Sequence, residues 1–86
     1  MTKIDESSSA NPYRPISCDV YSRFELAIMH RERLHLSWKQ GNVCFIQSVL
    51  PTDLETHASE EFLHCHLASG ERARIRLDYI DRVEPA

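Results

Sequence analysis

Five histidines and three cysteines are the side chains of this 86-residue sequence best suited to chemistry, and His64-Cys65-His66 is their densest cluster. A metal would want them converging, with His57, Cys44 or His35 as further ligands. In an extended segment, however, neighbouring side chains point to opposite faces, so Cys65 turns away from both histidines. His-x-His also lacks the paired Cys/His spacing of a structural zinc site. The expectation is no metal and no cofactor. Catalysis has as little to start from. Cys18 near a helix opening is a candidate nucleophile, but no nucleophile elbow, phosphate-binding glycine loop or His-Glu-x-x-His motif accompanies it. Two glycines in the whole chain leave little for a phosphate cradle. The expectation is a protein that is not an enzyme.

Basic residues raise a second possibility, direct RNA binding. Arg72, Arg74 and Arg76 alternate, and Trp38, Phe62 and Tyr79 could stack on bases. Glu71, Asp78, Asp81 and Glu84 cancel that charge locally, and the net charge of −3 offers no large grip on phosphates. The acids are the more distinctive group. From Pro51 to Glu61 there are Asp53, Glu55, Glu60 and Glu61 with no Lys or Arg. Such a stretch is either a solvated loop or a surface for a basic partner.

These residues must be held by a small number of elements. Eighty-six residues with 42% apolar and 27% charged side chains fit one globular domain of modest stability, on the order of 5 kcal/mol. No apolar run approaches the ~18 residues of a membrane span, and no signal peptide opens the chain, so the expected location is cytoplasmic. Three cysteines without close pairing suit reduced thiols. Residues 1–12, with three consecutive serines and few apolar groups, read as a disordered tail; residues 13–86 form the domain. Pro15 to Ala27 reads as the entrance and first turns of a helix. Ser17 or Asp19 is its cap, with Ser22 and Glu25 at capping-box spacing as an alternative start. Tyr21, Phe24, Ala27 and Ile28 give its apolar stripe.

The period then falls to two. Leu34, Leu36 and Trp38 alternate with polar residues, and a two-residue loop at Gln40-Gly41 would set Trp38 opposite Val43 and Leu36 opposite Phe45. Pro51 to Ser59 reads as a loop. Phe62–Leu67 and Ala73–Tyr79 form a second hairpin, whose apolar faces match only if the connection around Ser69-Gly70 has an odd number of residues. Its other face carries His64, His66, Arg74 and Arg76. Ile80 and Val83 suggest a last short strand. One helix followed by five strands is an α+β pattern, a strongly bent antiparallel sheet or small barrel.

Tyr13-x-Pro15-Ile16-x-Cys18-Asp19-x-Tyr21, then Glu25-Leu26-Ala27, resembles the opening of the Rof (YaeO) family of bacterial Rho-binding antiterminators. Gly70-Glu71 and Arg74-x-Arg76-Leu77-Asp78-x-Ile80 resemble its later part, so the likeness runs from about Tyr13 to Val83. The resemblance implies an Sm-like fold, with an N-terminal helix on a five-stranded, strongly bent antiparallel sheet. It implies an inhibitor that binds the N-terminal RNA-binding domain of the termination factor Rho and blocks loading of nascent RNA. It also implies a contact through Ser17, Cys18, Asp19 and Glu25, with Asp53 and Glu55 as a second edge. Val20 stands where some relatives carry a second acid, which leaves the Pro51–Glu61 acids as the other source of negative charge. The expected free state is a monomer. The alternative is an Sm-like protein that binds RNA itself.

Overall fold

A computed structural model describes residues 12–86. All of the expected tail except Pro12 lies outside the described residues. Helix α1 spans Cys18–His30. Five strands follow: β1 Leu34–Gln40, β2 Val43–His57, β3 Glu60–Leu67, β4 Arg72–Arg76 and β5 Ile80–Pro85. A 3-10 turn, Leu77–Tyr79, joins the last two.

Ser17 is the helix cap. Its backbone is extended and its hydroxyl accepts from the Val20 N–H at 3.3 Å, so neither Asp19 nor the Ser22–Glu25 pair starts the helix. At the far end Arg31 adopts a left-handed conformation (φ 55°). The N–H groups of Arg31 and Glu32 return to the carbonyls of Ile28 and Ala27, the Schellman arrangement that satisfies the last carbonyls of a helix. Phe24 and Ala27 are buried and Val20, Tyr21 and Ile28 half-buried, so the expected stripe faces the sheet.

The sheet is antiparallel throughout, in the order β4-β3-β2-β1-β5. β4 and β5 are its two edges, so it is open and the barrel alternative is set aside. It is nevertheless strongly bent, and chain reach requires this. Arg76 ends one edge strand and Ile80 begins the other. Four residue steps span at most about 14 Å, whereas four inter-strand spacings in a flat sheet need about 19 Å. Phe24 and Ala27 of the helix, Leu34, Leu36, Trp38, Val49, Leu63, Cys65, Ile75 and Leu77 fill the concave side.

Three expectations change. In the first hairpin Trp38 pairs with Phe45 and Leu36 with Gln47, because the loop is Gly41-Asn42. Gly41 has φ 63° at the first loop position, where a type II′ turn favours glycine. The two-residue shift keeps every side chain on its expected face and gains a stacked Trp38–Phe45 pair at 5.2 Å. Second, the Pro51–Ser59 stretch is strand, not loop. β2 runs through it with a bulge at Thr52, since Pro51 pairs with Cys65 and Asp53 with His64; the bulge accommodates a proline that has no N–H to give the ladder. Its turn is only Ala58-Ser59, both at positive φ (51° and 66°). Third, Arg76 is buried, with 7% of its surface exposed, rather than on an open polar face. The odd connection in the last hairpin is present: Leu67 donates to the Glu71 carbonyl and Gly70 to that of Leu67, leaving three residues between.

Candidate functional site

The opening of α1 is fastened to the sheet before the helix begins. The Tyr13 hydroxyl donates to Glu61 Oε1 at 2.8 Å, and the Arg14 N–H donates to Asp78 Oδ2 at 3.0 Å. Half-buried Ile16 packs on the core. The chain therefore reaches Ser17 in a set direction, and the helix starts beside β3.

That placement collects acids. Cys18, Tyr21, Ser22 and Glu25 of the first two helical turns, with Ile16 and Glu61, line one shallow hollow. Burial, reinforced by the nearby Glu61 and Glu25 carboxylates, pushes the Tyr21 phenol above its ordinary range. The Tyr13 phenol is raised too, by burial and then by its bond to Glu61. Asp19 is exposed in the first turn, where negative charge is favoured by the helix dipole. Among the described residues it makes no ion pair, and neither does Glu25. Glu25 and Glu61 thus give the hollow at the helix opening a negative rim over an apolar floor, and Asp19 adds exposed negative charge beside it in the first turn. In the sequence Glu61 is one of the Pro51–Glu61 acids, with nothing that ties it to the helix. Only the β2–β3 register, with Thr56 opposite Glu61, brings it to the helix.

Asp53 and Glu55 lie elsewhere and in different company. Glu55 accepts from Arg74 Nε at 3.0 Å and Nη2 at 3.3 Å, and lies 2.6 Å from His64 Nε2. The hydrogen bonds from Arg74 and then His64 hold its carboxyl down at about 2. The same guanidinium stacks over Phe62, 3.7 Å from the ring centre. Asp53 accepts from the Leu54 N–H and borders a separate hollow with Thr52, His64, His66 and Arg72. Of the six expected contact residues, then, Ser17, Cys18, Asp19 and Glu25 share the helix opening, whereas Asp53 and Glu55 share a region balanced by cations.

The alternating arginines do not make a basic strip. Arg72 is exposed, Arg74 is spent on Glu55, and Arg76 forks Asp78 through Nε to Oδ1 at 2.7 Å and Nη2 to Oδ2 at 2.8 Å. Cys65 is buried while His64 stays partly exposed, and among the described residues no group of three His, Cys, Asp or Glu side chains converges as a metal site would require. No helix there is long and apolar enough to cross a membrane.

No family model matches the chain. It is 37% identical over 68 residues to Protein rof of Escherichia coli (strain K12), a match that spans 79% of this chain and 76% of that protein. Protein rof of Shigella flexneri matches with the same identity over the same shares.

Proposed function

The chain belongs to the Rof family, and from that premise we propose that it inhibits Rho-dependent transcription termination by binding the N-terminal RNA-binding domain of Rho and blocking the loading of nascent RNA. Membership is consistent with a Rho-related role in transcription; the mode of binding is our inference. One observation carries it. The helix opening presents Glu25 and Glu61 at an apolar hollow, with Asp19 exposed in the first turn, while Arg74 and Arg76 are occupied by internal carboxylates. An RNA-binding surface must be basic, so a compact acidic surface can occupy it, with charge chiefly raising the association rate. The protein acts by contact, as a monomer and without cofactor.

Direct RNA binding as an Sm-like protein is the weaker reading, because Arg74 and Arg76 are committed within the fold. Titrating isolated Rho N-terminal domain with this protein, with and without a C-rich RNA, separates the two. The expected result is a complex that the RNA competes away. Retention of RNA by this protein in the absence of Rho, with steep salt dependence, would favour the alternative.

A further inference from the structure

Arg76 is the one charged side chain among the described residues that is buried, and its place in the fold is unusual. It sits at the corner where the chain leaves one sheet edge for the other. Its guanidinium forks Asp78, donates to the Tyr79 hydroxyl at 3.2 Å and lies 3.6 Å from Glu60 Oε2. It also faces the rings of Tyr79 and Tyr13, at 4.7 and 5.5 Å. Asp78, held by this fork, is the acceptor for the Arg14 N–H. Tyr13, under the guanidinium, is the donor to Glu61. Every described polar tie between the segment before the helix and the sheet therefore runs through Arg76 or a residue that it touches.

Burying an ion pair is a poor way to gain stability, since desolvation offsets most of the attraction. Fixing a geometry is a better use for one. We propose that Arg76 is a positioning residue for the partner-binding surface: it clamps the Tyr13–Ile16 strap, and through it sets the helix opening and Glu61 in the arrangement that the partner reads. The inference rests on the Rho contact proposed above for its functional half; the clamp itself can be tested in the free protein. Arg76 adds nothing to the binding surface directly, being buried away from solvent.

Arg76→Lys keeps the charge but cannot fork a carboxylate, and Asp78→Asn keeps the shape while removing the charge partner. Each would be compared with the parent by amide hydrogen exchange and by the kinetics of binding to Rho N-terminal domain. The clamp predicts exchange about tenfold faster at Arg14, Val20 and Tyr21, with the Leu36 and Val49 amides of the central strands unchanged. For the complex it predicts a dissociation rate about fivefold higher, with the association rate and its salt dependence retained. A merely structural role would lower the fraction of active protein and leave the dissociation rate of what still binds unaltered. Exchange that is unchanged, or faster throughout the sheet, would overturn the clamp. Local loosening with an unchanged dissociation rate would overturn its link to binding. If the parent fails to bind Rho, the functional reading falls and the positioning role with it, while the exchange pattern still decides the clamp. Should the lysine variant not fold, Asp78→Asn carries both measurements.

Discussion

Tyr13 and Glu61, 48 residues apart in the chain, are joined by a 2.8 Å hydrogen bond, and this bond connects the segment before the helix to the strand that supplies the site's third acid. Replacing Tyr13 by Phe removes only the donor. The expected cost is about 1 kcal/mol, the usual net worth of such a bond, read as a lower midpoint in urea with an unchanged slope. A change in slope would mean that the hydroxyl governs more than this local tie.

Glu55 gives the fold a particular acid sensitivity. Its carboxyl is held from an ordinary 4.5 down to about 2 by Arg74 and His64. A folded value below the unfolded one means that the unfolded chain takes up the proton first. The stabilisation is therefore complete above about 4.5 and disappears as pH falls toward 2. Denaturation midpoints followed across that window should drop for the parent protein. In Glu55→Gln the drop should be shallower; equal slopes would show that the carboxylate is not specifically held.

The three cysteines should divide by burial. Cys18 and Cys44 are exposed, whereas Cys65 is buried and burial pushes its thiol up to about 11. A thiol reagent at neutral pH should titrate two groups quickly and the third only after denaturant is added. Three fast groups would mean that the core opens readily at β3.

Element type and facing were legible because they depend on periodicity. The Leu34–Leu36–Trp38 alternation and the Tyr21–Phe24–Ile28 stripe each bury one face, and both faces appear as expected. Local turn chemistry was partly legible. Ser17 is a good cap by type, and the odd connection at Ser69-Gly70 follows from matching apolar faces. Two of the three changed expectations turn on residues with no local signature. Ala58 and Ser59 turn the chain at positive φ without glycine or asparagine, so β2 could not be seen to continue past Pro51. The first hairpin's loop, Gly41-Asn42, lies one residue beyond the expected Gln40-Gly41 and so shifts the pairing by two, and there the signal is local, since glycine suits the first position of the turn. Arg76 looked like one more surface arginine because its partners come from the strap, the 3-10 turn and β3.

The candidate site shows the same division. Ser17, Cys18, Asp19 and Glu25 lie close in sequence on one helix, so their nearness follows once the helix does. Asp53 and Glu55 looked like free acids by local count, but Arg74 and His64 reach Glu55 only across the sheet. Glu61 joins the helix opening through strand register alone. Charge counted along the chain therefore locates the acids without showing that Glu55 is held by Arg74 and His64.

The central claim is that negative charge at the helix opening makes the contact with Rho. The most direct measurement is the affinity of Asp19→Lys/Glu25→Lys for the Rho N-terminal domain, set beside Asp81→Lys, exposed on β5, as a control outside that surface. Binding should weaken at least about tenfold for the double variant, or ~1.4 kcal/mol, and change little for the control. Undiminished affinity in the double variant, with its fold intact, would contradict the claim.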